Sequence, residues 1–164
     1  MSFFKGKNSV TANAVAPYIT VSAETIATVS GRVRFESQIV AYETDPDSNT
    51  IALVTRANAS DYSRGSKKGL VLVFDKNIKP GAYSVTDSNF PFDDVYYFET
   101  GTTPGFVRSY NYRAKSGNFK VEVVEVTAEK LHYKIDFDFK GVDLRNQELT
   151  IAGKSSYLVL VQSE

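Results

Sequence analysis

The chain has 164 residues, 42% apolar and 23% charged, which suits one globular domain with a proper core and leaves little room for two. Its 19 basic and 19 acidic residues cancel, so it lacks the basic excess with which nucleic-acid binders neutralise phosphates. Without cysteine it forms neither disulfides nor thiolate metal sites, and no stretch approaches the ~18 apolar residues of a membrane-spanning helix.

The first residues, Met1-Ser2-Phe3-Phe4-Lys5-Gly6-Lys7, are basic, but residues 8–16 are too polar for a signal-peptide core. No export is expected, and the cytoplasm is the default location. Residues 1–29 carry the weakest pattern and read as an arm, or as one or two extra strands, of a single domain spanning 1–164. Within them Ala23 to Val29 is the best helical candidate, although its β-branched residues disfavour a helix. Candidate strands then follow at 31–43, 50–57, 69–75, 82–86, 95–100, 106–113, 117–126, 131–140, 147–152 and 156–162, with Gly, Pro, Asn, Asp and Ser between them. Ten Tyr and eleven Phe reinforce the strand bias. About ten short strands with little or no helix indicate an all-β fold, a two-layer antiparallel sandwich first and an antiparallel barrel second.

Residues 117–140 give the clearest signal. Asn118 to Glu122 and Leu131 to Phe139 alternate apolar with polar or charged residues, the period of a strand with one dry and one wet face. A two-residue turn at Ala128-Glu129 pairs Val126 with Leu131 and Glu125 with His132. Continued strictly, that register sets Glu122 against Ile135. A bulge at Val123-Val124, with Val123 as the extra residue, repairs it. Glu122 then faces Lys134, Lys120 faces Asp136 and Phe119 faces Phe137. The wet face gains opposite-charge neighbours, each contributing roughly 0.2–1 kcal/mol.

That placement removes the obvious catalytic candidates. His132 is the only histidine, and any Ser–His–Asp triad would need it. It lies on the wet face opposite Glu125. Asp136 and Asp138 are spaced roughly 6.5 Å along one strand face, which overlaps the separation of glycosidase carboxylates. Lys120, Lys134 and Lys140 would hold both ionised, whereas a catalytic acid needs a raised pKa. Asp45-Pro46-Asp47-Ser48-Asn49 opens like a calcium loop, but Thr50 and Arg56 stand where the glycine and glutamate should be. It reads as an Asx-rich turn, with a weak cation site helped by Glu43 as the remainder. Ser63-Arg64-Gly65-Ser66-Lys67-Lys68-Gly69 lacks P-loop spacing and reads as a surface turn or an anion contact. No enzyme, cofactor or metal site is expected.

The region 90–113 is the best candidate for binding. If Thr100 pairs with Phe106, then Tyr96, Phe98, Phe106, Arg108, Tyr110 and Tyr112 share one face. Exposed, they form a stacking platform for sugars or a sticky protein surface, with Arg108, Asp93 and Asp94 as polar anchors. Buried, they are one side of the core, the reading favoured by polar Ser109, Asn111 and Arg113 on the other face. The sequence therefore predicts a non-enzymatic protein-interaction or self-assembly module whose partner is itself or another protein. The alternative is a carbohydrate-binding module using Asp93, Asp94, Tyr96, Arg108, Tyr110 and Tyr112. Neither nucleic acid nor a membrane span enters either reading.

Overall fold

The computed structural model describes residues 3–4, 18–58, 67–103 and 106–162, with backbone only at 58, 102, 103, 106 and 107. Ten strands and no helix are present among them: β1 (Tyr18–Val29), β2 (Phe35–Glu36), β3 (Ile39–Thr44), β4 (Thr50–Asn58), β5 (Lys67–Asp75), β6 (Gly81–Ser84), β7 (Phe92–Thr103), β8 (Phe106–Val126), β9 (Lys130–Val142) and β10 (Glu148–Gln162). They form one antiparallel sheet in the order β2-β1-β10-β9-β8-β7-β5-β4-β3, and β6 pairs with the C-terminal half of β8. The helical candidate at Ala23 to Val29 is the second half of β1. Its β-branched residues pair one by one with β10, and Thr25, Ala27 and Val29 face the core.

The sheet is strongly curled, so strands far apart in its order meet. Thr25 on β1 and Thr55 on β4 are joined by a 2.8 Å hydroxyl hydrogen bond, and Thr25 shares a 2.6 Å one with Ser155 on β10. All three are buried. The backbone crosses the seam beside them: Ser37 N–H donates to the Thr25 carbonyl and Gln38 N–H to the Arg56 carbonyl. Curling turns one face of every long strand inward. There Phe74, Phe92, Phe119, Phe137, Phe139 and Tyr133 make edge-on, tilted and stacked contacts, with centroids 5.1–6.2 Å apart. Burial pushes the Tyr133 phenol pKa far up, and its hydroxyl donates to the Lys76 carbonyl.

The 117–140 hairpin has the expected register. Val126 pairs with Leu131, Glu125 with His132, Glu122 with Lys134, Lys120 with Asp136 and Phe119 with Phe137. The bulge falls at Val123-Val124, with one correction: Val123 pairs with Tyr133, and Val124 is the extra residue, turned outward. Val123 can then point at the core while its neighbour takes the wet side. Two expected strand breaks are absent. Residues 106–113 and 117–126 are one strand, kept continuous by a bulge at Lys115 and by Gly117 at φ 122°, a conformation side-chain-bearing residues avoid. Residues 147–152 and 156–162 are likewise one strand, because Thr25 gives buried Ser155 a hydrogen-bond partner within the sheet.

Candidate functional site

The outer surface of the sheet has two chemically distinct halves. Over β8, β9, β10 and β1 it is charged. Lys120 and Lys154 flank Asp136 on the neighbouring strands, and Glu122 stands opposite Lys134. His132 lies opposite Glu125, whose carboxylate takes Lys130 at 2.6 Å. Asp136 and Asp138 are exposed among these groups.

Residues 90–113 divide between the two faces of the sheet. β7 runs on to Thr103, which pairs with Phe106, so Thr100 meets Ser109 instead of Phe106. The shift is three positions, an odd number, and an odd slip exchanges the faces. Tyr97, Tyr110 and Tyr112 therefore point inward, while Tyr96 and Phe98 share the outer face with Ser109, Asn111 and Arg113. The single-face platform is not formed. Tyr112 is buried in the core beside Tyr97, with ring centroids 6.3 Å apart. Burial drives the Tyr97 phenol pKa strongly upward, helped by the Glu99 carboxylate that accepts its hydroxyl. Tyr110 is half-buried, and the Arg145 guanidinium covers one side of its ring at 3.7 Å. Tyr96 is buried on the outer side under Arg113, which is ion-paired with Asp94. Asp93 is the exposed extra residue of a bulge, and Arg108 is exposed opposite Gly101.

Arg145 belongs to a built turn between β9 and β10. Asp143 accepts hydrogen bonds from the backbone N–H groups of Arg145 and Gln147 and from the Arg145 side chain, at 2.7–2.9 Å. Burial acts to raise the Asp143 pKa, but these donors outweigh it and hold the carboxyl below its usual range. The Asp45 turn closes on itself: its carboxylate accepts from Asp47 N–H and the Ser48 hydroxyl. Glu43 is turned instead toward the N-terminus, where it accepts from the N–H groups of Phe3 and Phe4 at 2.9 and 3.1 Å. Most of the basic stretch 63–69 lies outside the described residues.

The outer half over β3, β4, β5 and β7 is apolar, and the sequence reading did not identify it. One row across the strands runs Ala41, Val54, Val71, Tyr96; the next runs Arg56, Gly69, Phe98, Asn111. A groove of about 250 Å³ lies over them, with Phe3 as one wall. The available signal was the run Leu70-Val71-Leu72-Val73-Phe74. A strand apolar at successive positions has to be covered on both faces.

Among the described residues, one stretch of sheet edge has no strand paired to it. Thr25 exchanges hydrogen bonds with Ser37 across the outer edge of β1. By alternation, the N–H and C=O groups of Ile19, Val21 and Ala23 also point outward. Among the described residues, Tyr18 to Glu24 are paired in the sheet only with β10.

No helix among the described residues is long and apolar enough to cross a membrane. Comparison with protein-family models, curated proteins and solved structures finds no match.

Proposed function

We propose that this protein is a non-enzymatic interaction module that pairs with a second copy of itself through the open edge of β1. The curl, and the bonds joining Thr25 to Thr55 across the seam, support an unclosed barrel over a two-layer sandwich as its architecture. The observation that carries the reading is the outer edge of Tyr18 to Glu24, to which no strand is paired among the described residues. Such an edge is a template for another strand, and this one is self-complementary. With Val21 opposite its counterpart in an antiparallel pair, Ile19 meets Ala23 of the other copy, and the three outward residues of each chain exchange hydrogen bonds. The inner side gains Ile19 against Ala23. On the outer side Tyr18 meets Glu24 and Thr20 meets Ser22, so no like charges are opposed. A zero net charge adds no long-range repulsion. The β3 edge is less suited, since it carries Glu43 and runs into Asp45-Pro46. The glycan alternative would rest on Tyr110, one side of which Arg145 already covers.

Sedimentation velocity over a concentration series tests the reading. The wild type should be dimeric at micromolar concentration, and Val21→Pro should weaken association at least tenfold. Proline there removes an outward N–H and spares the ladder to β10. Val21→Ala, which loses packing but keeps the N–H, should remain dimeric. A wild type monomeric at every concentration, or equal effects of the two substitutions, would refute edge pairing.

A further inference from the structure

We propose that the outer-face groove over β4, β5 and β7 binds a small monocarboxylate with an apolar body, held by Arg56. The Arg56 Nε is buried and has no hydrogen-bond partner. Among the described residues its guanidinium makes no ion pair, unlike Arg32, Arg34, Arg113 and Arg145, each of which lies beside a carboxylate. A buried donor without a partner carries a desolvation cost that a ligand accepting from it would offset, and the rest of this half-buried guanidinium supplies a positive charge beside it. Arg56 also lines a cavity, so its donor has somewhere for a partner to sit.

The surroundings define the rest of the ligand. Val54, Val71, Tyr96 and Phe98 form an apolar bed, and Val71 is fully buried although it faces outward. Gly69 makes the bed possible. A Cβ there would stand 2.6 Å from the Phe98 ring and 2.7 Å from the Thr55 carbonyl, so glycine lets that ring lie across β5 beside Arg56. Lys67, Thr100, Ser109 and Asn111 supply polar groups at the rim. A volume of about 250 Å³ is just below the range for drug-sized ligands and matches a molecule the size of phenylpropanoate or octanoate. A carboxylate matches the planar fork of Arg56, and the apolar bed suits an apolar body better than the further charges of a phosphate ester. Phe3, whose N–H donates to the Glu43 carboxylate, forms one wall.

Calorimetric titration of the full chain with 3-phenylpropanoate, octanoate, 3-phenylpropanol and inorganic phosphate tests this. At least one carboxylate should bind tenfold or more tightly than the alcohol, and phosphate should give no saturable binding. Arg56→Met should abolish the preference for acid over alcohol while leaving binding of the alcohol unchanged, whereas loss of a purely structural arginine would weaken both alike. Ser109→Trp, at the exposed rim, should weaken carboxylate binding without touching the core, and it decides the matter if Arg56→Met does not fold. The proposal fails if neither carboxylate binds, if acid and alcohol bind alike, or if Ser109→Trp binds as the wild type does.

Discussion

The two halves of the outer surface belong to one sheet and follow opposite rules. Over β8, β9 and β10 the outward positions are Lys120, Glu122, Lys134, Asp136 and Lys154, exposed among neighbours of opposite charge. Over β4, β5 and β7 they are Ala52, Val54, Val71, Val73 and Tyr96, at most 9% exposed. The charged half leaves the strands' hydrogen bonding and inner packing to hold the fold. The apolar half needs a cover, to which Phe3 and Phe4 contribute. The apolar half, where the Arg56 Nε has no partner among the described residues, is the one proposed above to bind, whereas the charged half is already neutralised by its own lysines and carboxylates.

Substitutions can break that contrast, and the largest effect should come from the apolar half. Val71→Asp would bury an uncompensated carboxylate and should lower stability by about 3–5 kcal/mol in urea denaturation; tolerance of it would mean that this face is wet. A smaller, pH-dependent effect is expected at the β9–β10 turn beside the charged half. The Asp143 carboxyl has a lowered pKa, so its ionised form stabilises the fold above the usual carboxylate range, and that contribution disappears as pH falls through its folded-state value. Thermal melts should show Asp143→Asn less stable than the wild type at neutral pH, the gap closing in acid. A gap independent of pH would deny the charge any role. The smallest effect is expected for Asp136→Ala, within about 0.5 kcal/mol by the same denaturation assay, as for other exposed ion-pair positions. A loss above about 1 kcal/mol would show that the charged face holds the fold together.

Legibility in the sequence followed the range of the interaction. The hairpin could be read to single pairs because alternation and charge complementarity act across a two-residue turn. Its bulge was placed correctly and erred only in which valine turns out. The register of β7 on β8 was misread because Gly101-Thr102-Thr103 has the composition of a loop yet continues the strand. That single odd shift moved Tyr96 and Phe98 to the face opposite Tyr110 and Tyr112. Gly153-Lys154-Ser155 suggested a break for a similar reason, since nothing local reveals that Thr25 partners Ser155.

By itself, the sequence determined that the fold is all-β, that 117–140 is a bulged hairpin and that its charged residues face water. Each follows from side-chain period and cross-strand pairing over a few residues. Only the tertiary structure decided the curl that brings Thr25 to Thr55, the open edge of β1, and the groove in which Arg56 meets Val71 and Phe98. These depend on contacts between strands distant in the chain, where a one-residue slip exchanges the faces.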